Sequence, residues 1–294
     1  TSIAVDSQAH VHISYYDKAN GDLKYAHWNG SSWEIVTVDS EHDVGMYSSL
    51  ALDSMDRPHI AYYDYYSGSL KYAHWNGSSW EIEKVDGGGF PQRDRAGEYC
   101  SLALDPSDRP HISYIGNLSD RVLRHAYRTE EGWVIENVDD KGDEWTSIAV
   151  DEMGYPHISY KDERNNLRYA YWDGSKWKIK TVDNGEDVGS HCSIALDQEG
   201  RPHIVYQDRS RVRPEDPNSP LRHDLKHAYW DGEDWKVEFV VSAAWNVAEG
   251  IDIAIDSRGN PRIVYENRSG KRLEYARWTG SKWILEMIDS GGVG

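Results

Sequence analysis

The chain has 294 residues, of which 38% are hydrophobic, and a mean hydropathy of -0.76. Its 50 acidic and 32 basic residues leave a formal charge of -18, which repels nucleic acid and anionic membrane. No apolar run approaches the roughly 18 residues of a membrane span, so neither a nucleic-acid partner nor membrane insertion is expected. An extracellular or cell-surface life fits this acidic surface.

From Ser2 onward one pattern repeats. Ser-(Ile/Leu)-Ala-(Val/Leu)-Asp occurs at Ser2–Asp6, Ser49–Asp53, Ser101–Asp105, Ser147–Asp151 and Ser193–Asp197, and a sixth version, Asp252–Asp256, reads DIAID. Each copy predicts four short strands. In the second they are SLALD, then PHIAYYD with Pro58 at its mouth, LKYAHW ending before Asn76-Gly77, and WEIEKVD. Asn-Gly or Asp-Gly joins strands three and four in repeats 1, 2, 4 and 5, and Thr279-Gly280 in repeat 6, all of them hairpin signals. No stretch of ten residues has helical period. Four antiparallel strands recurring every 40 to 50 residues predict an all-β, six-bladed β-propeller. It is expected as one domain, residues 1–294, with blades near 1–47, 48–99, 100–145, 146–191, 192–250 and 251–294.

The ends fit closure of a ring. Val293-Gly294 matches Val44-Gly45 and Val188-Gly189, and about two residues would join end to start in register. The chain begins at Thr1 rather than Met, so a segment upstream is expected to have been removed, processed or left out.

The run SIAVDSQAHVHISYYDKANGDLKYAHW resembles an NHL-type repeat. The later W-x-G-x-x-W part, as in Trp75-Asn76-Gly77-Ser78-Ser79-Trp80, is similar to turns in sialidase-superfamily propellers and in six-bladed fucose-binding lectins. Where the fucose lectins carry arginine and glutamate, the repeats carry His or Arg and Tyr or His. The turn is one residue shorter than the sialidase Asp-box and lacks its S-x-D-x-G pattern. The resemblance therefore implies the fold and transfers no catalytic or sugar-binding residue.

Most residues with chemical potential fall on the repeat. Eleven of the 13 Trp do, and are assigned to the core. His12, His59, His111, His157 and His203 recur once per blade, with Arg262 in the sixth place. This pattern predicts a structural hydrogen bond to the neighbouring blade rather than a converging metal site. Asp6 and its five equivalents are expected to cap their turns. No cofactor is expected, and calcium is the one ion these acidic turns leave room for. Cys100 and Cys192 are read as small buried residues.

The departures from the repeat carry the functional expectation. Tyr47, Tyr99, Trp145, His191 and Gly250 stand just before the first strands and should ring the mouth of the channel. Two long insertions, Asp86–Tyr99 and Gln207–Asp224, are placed on that same face. Trp145 and Trp245 are the two Trp outside the repeat positions. Asp64, Asp162 and Asp208, with Asp17, end second strands on this face, where they would bind a cation, do acid–base work or cap loops. Arg209, Arg211 and Arg213 crowd the longer insertion and would receive an anion or neutralise the acidic loops around them. Together these residues favour a binding module for a glycan or a protein partner. The alternatives are a glycoside hydrolase or polysaccharide lyase with acidic residues at the channel mouth, and a structural segment of a larger surface protein. No catalytic motif is recognisable, and no oligomeric state is implied.

Overall fold

The computed structural model describes residues 1–88, 95–116, 121–212, 216, 218–242, 247–267 and 270–290. It is all-β, with no helix among the described residues. Six blades span residues 2–39, 44–87, 96–139, 142–183, 188–241 and 247–289, each a four-stranded antiparallel sheet with its strands in chain order. This is the blade plan of a β-propeller. The chain divides into two compact units, Thr1–Gly154 and Tyr155–Gly294. The first holds three blades and the first strand of the fourth, and the second holds the remaining strands.

The first strands are longer than the repeat motif predicts. In the second blade the strand runs Val44–Leu52, and its pairing slips between Met46 and Ser49. Tyr47 sits in that bulge with φ 53°. Tyr99, Trp145 and His191 repeat it at 55°, 53° and 53°, and Gly250 at 59°. The variable positions thus lie inside the strands. A left-handed φ costs a non-glycine residue on the order of 1 kcal/mol, which the surrounding ladder must offset.

Hydrophobic cores form where blades pack face to face. Leu23, Val44, Ile60 and Tyr62 belong to one between the first two blades, and Leu70, Leu102, Ile112 and Tyr114 to one between the second and third. In the second unit Leu225, Ile253, Ile263 and Tyr265 do the same. Full burial of each such side chain contributes roughly 1.5–3 kcal/mol. The anchor serines tie successive first strands together: Leu50, Leu102 and Ile148 donate their N–H groups to Ser2, Ser49 and Ser101 at 3.0, 2.9 and 3.2 Å. Where the sixth copy has Asp252, Ser193 donates to it at 2.8 Å. Cys100 and Cys192 are buried free thiols, each pushed up to about 12 by burial.

A polar seam crosses the same junctions. Asp39 ends the first blade and accepts from the Tyr62 hydroxyl at 2.7 Å and the Lys71 ammonium at 3.1 Å. Asp86 is held in the same way by Tyr114 and Arg124, and Asp183 by Tyr206 and Lys226. The three tyrosines are fully buried.

The turn aspartates behave as their spacing predicts. Asp6, Asp53, Asp105, Asp197 and Asp256 each accept the N–H groups two and four residues on. The histidines differ from expectation. His12 and His157 bond the Tyr25 and Tyr169 hydroxyls at 2.5 Å, His59 bonds Tyr72, and His111 and His203 bond His125 and His227 at 3.0 Å. All these partners lie on the third strand of the same blade rather than on the neighbour. Adjacent strands put diagonal residues of one face within reach, so a neighbouring blade is not needed. Burial holds His111 and His203 down to about 4 and lowers His12, His59, His125 and His227.

Two outcomes are expected. Asp39→Ala leaves the buried Tyr62 hydroxyl without its acceptor, while Lys71 keeps Asp64 at 3.5 Å, and should cost about 2 kcal/mol in urea denaturation. Adding Lys71→Met should cost less than the sum of the two single changes. The histidines also set a pH window. Unfolded, His111 and His203 each take a proton near pH 6.5, whereas folded they resist until about 4. Stability is therefore complete above about pH 6.5 and is lost as pH falls toward 4. Asp6, held at about 2 against an unfolded value near 3.9, adds a further loss only below about pH 4. Thermal melts should show the midpoint beginning to fall below about pH 6.5, ahead of the Asp6 contribution.

Candidate functional site

A consecutive four-stranded blade has two ends. One carries the turns from strand one to two and from three to four, and the other carries the two-to-three and blade-to-blade connections. The residues singled out by their departure from the repeat lie toward the second end. The first unit brings three of them together. Tyr47 and Tyr99 stand 4.8 Å apart, and Tyr99 and Trp145 also 4.8 Å. Tyr47 is 40% exposed and the other two are half-buried, so the three rings form one stepped aromatic strip. Partial burial raises the hydroxyls of Tyr47 and Tyr99, which therefore stay protonated at neutral pH. Tyr65 and Tyr66 lie exposed nearby in sequence, Tyr65 under the Arg95 guanidinium and Tyr66 stacked on His42 at 4.1 Å. His191 takes the same bulge position in the second unit and is half-buried. Trp245 and Arg213 lie outside the described residues.

The carboxylates take the capping role among their alternatives. Asp64 accepts from the Ser67 N–H, Asp162 from those of Arg164 and Asn166, and Asp208 from that of Ser210. All three are buried, beside Lys71 at 3.5 Å, Arg168 at 3.4 Å and Lys226 at 2.8 Å respectively. A buried, paired carboxylate presents little to a ligand. Among the arginines of the insertion, Arg211 pairs with Glu186 and Arg209 lies 3.9 Å from Asp187. Both neutralise the acidic connection that leads into their own blade.

The opposite end holds what sequence reasoning missed. None of the Trp residues on the repeat is fully buried: Trp33 is 47% exposed and the other ten are half-buried, with Trp80, Trp133 and Trp283 packed against the edges of the cores. Paired Trp such as Trp75 and Trp80 face each other across a hairpin, 5.9 Å between centroids. At that tip the adjoining blade covers one face of a ring only. Trp80 meets Tyr25 of the preceding blade at 5.2 Å, Trp133 meets Tyr72 at 5.1 Å, and Trp235 meets Tyr169 at 5.2 Å. Clefts open beside these contacts. One of about 390 Å³ is lined by His12, His27, Glu34, Arg57, Trp75 and Trp80. Another of about 340 Å³ has His157, Tyr171, Arg201, Trp230 and Trp235. A third of about 1010 Å³ lies between blades two and three, where Arg128 replaces the first Trp of the pair and Arg57, Arg109 and Glu81 add charge. The signal in the sequence was the five-residue Trp spacing across each turn, which puts both rings on one face.

No protein-family model and no curated protein matches this chain. Among solved structures, the AofleA protein from Arthrobotrys oligospora is similar at 14% identity with a TM-score of 0.63, over 99% of this chain and 86% of its own. A fungal lectin from Aleuria aurantia, described by its six-bladed beta-propeller fold and novel fucose recognition mode, is similar at 13% identity and TM-score 0.60, over 99% of this chain and 95% of its own. A PL25 ulvan lyase is similar at 11% identity and TM-score 0.69, over 98% and 82%. At these identities the likeness shows the fold, a six-bladed β-propeller.

Proposed function

We propose that this chain is a carbohydrate-binding module, extracellular or at a cell surface, that seats a sugar in the clefts between successive blades. One observation carries this. The same junction, repeated, offers a half-exposed Trp pair as an apolar platform beside fixed imidazole and guanidinium donors. A pyranose has the matching surface, an apolar C–H face and a rim of hydroxyls, and pockets of this kind fix a ligand with few placed polar groups. Arg57 and Arg201 are held in place by Asp53 and Asp197 at 2.6 and 2.7 Å, so little side-chain freedom is lost on binding. The fucose-lectin neighbours support a glycan as the ligand. Several weak sites on one chain would act together on a surface dense in glycan.

The aromatic strip Tyr47–Tyr99–Trp145 supports a second reading, in which a longer glycan or a partner protein docks at the loop-bearing end. A glycan array separates the two. Trp75→Ala and Trp230→Ala should each weaken binding to immobilised glycan about tenfold, and together by more, as a repeated site requires. Binding lost in Tyr99→Ala/Trp145→Ala and kept in Trp75→Ala/Trp230→Ala would move the site to the strip. No binding to any glycan at high protein concentration would remove the reading, and shortening of an acidic polysaccharide by the protein would replace it with a lyase.

A further inference from the structure

In the first blade Asp6, His12 and His27 each bring a ligand atom to within 4.8 Å of the others, the only such group among the described residues. Four of the five equivalent aspartates are neutralised by a guanidinium, and the fifth, Asp151, has Tyr155 in the arginine's place. Arg57, Arg109, Arg201 and Arg262 each reach the outer carboxylate oxygen of their turn aspartate at 2.6–2.7 Å. The first blade has no such cation. Where three blades carry Arg it has His10, whose Nδ1 lies 3.1 Å from Asp6 Oδ2, and His12 Nε2 lies 3.5 Å from the same oxygen. His27, the cross-strand partner of His12, keeps its Nε2 buried with no hydrogen-bond partner.

We propose that Asp6, His12 and His27 bind a divalent transition-metal ion of the zinc class in place of the missing guanidinium. The separation of 3.5 Å between Asp6 Oδ2 and His12 Nε2 is close to the edge of a tetrahedron with metal–ligand bonds near 2.0 Å. It is long for a direct hydrogen bond. His12 Nδ1 meets the Tyr25 hydroxyl at 2.5 Å, so its proton can sit there and leave Nε2 bare toward the metal, the outer support that ligating histidines ordinarily have. Asp6 Oδ1 accepts the N–H groups of Gln8 and His10 at 2.9 and 2.7 Å, which fixes the carboxylate and turns Oδ2 toward the imidazoles. Imidazole nitrogens favour zinc-class ions over calcium. Three protein ligands leave one position open, and both histidines line the 390 Å³ cleft, whose other charged groups are Glu34, Asp56 and Arg57. Arg57 is engaged by Asp53 and does not fill the site.

The other blades supply variants that the fold already accepts. His10→Arg installs the arrangement of the second blade, and His27→Tyr the residue of the third, fourth and fifth. Metal-free protein titrated with Co²⁺ should bind one ion per chain with a tetrahedral visible spectrum, displaced by Zn²⁺. Both variants should bind at least tenfold more weakly at unchanged circular dichroism. His74→Gln, altering the corresponding pair in the second blade where Arg57 occupies the aspartate, should leave binding unchanged. Absence of stoichiometric binding to the wild-type chain, or equal binding by wild type and both variants, would overturn the site.

Discussion

Asp39, Asp86 and Asp183 each end a blade at a junction, Asp39 buried and the other two partly so, and each is met there by a fully buried tyrosine and a lysine or arginine of the next blade. An isolated carboxylate in such a place would cost several kcal/mol, so the pairing sets the depth at which one blade sits against the next. The sixth blade shows the same constraint by its exception. The fifth ends in Val241, with no carboxylate to hold. At the lysine position the sixth blade carries Glu274, which accepts from Tyr265 at 2.7 Å. The buried hydroxyl keeps a partner although the charge has changed sign. Apolar packing supplies most of the free energy of the junction, and the seam supplies its register.

That seam positions the Trp pairs and the bulged rings. The Trp pairs lie on the third and fourth strands of a blade, and the rings they meet lie on the third strand of the blade before. Their spacing depends on how the two sheets are stacked. The bulged positions Tyr47, Tyr99 and Trp145 come from successive first strands, which the anchor serines hold side by side. Ring spacings of 4.8 Å follow from that stacking, because one residue of each strand is turned by the same left-handed φ.

The architecture was legible in the sequence because repetition averages out local ambiguity. Six copies of the Asp-capped turn and five hairpin turns ending in Gly point to one plan even where a single copy would be equivocal. The turn role of Asp6 and its equivalents was legible for the same reason, since an Asx turn is local. What escaped depends on distance in the chain. A carboxylate that ends a strand has the same spelling whether it caps a loop or faces a ligand. For Asp64 the decision rests on Lys71 and on burial, neither visible at that position. The histidines were recognised as structural, but their partner strand needs the pairing register. The Trp were assigned to the core because they recur at repeat positions, whereas at a hairpin tip the rings stay half-buried.

A repeat protein invites a search for function only where the copies disagree. That search selects the aromatic strip, which is built from variable positions, yet it discards the clefts, which are built from repeated ones. Where a junction between blades opens into a cleft, as at the three described, a repeated residue is framework and cleft lining at once. Differences between copies then tune pockets rather than create them. Arg128 in place of a Trp makes the cleft between the second and third blades the widest and most charged of the three described. His10 in place of an arginine, with His27 beside it, leaves the first turn carboxylate facing imidazoles alone. The relevant comparison is therefore between junctions, each made from two neighbouring copies, rather than between single copies.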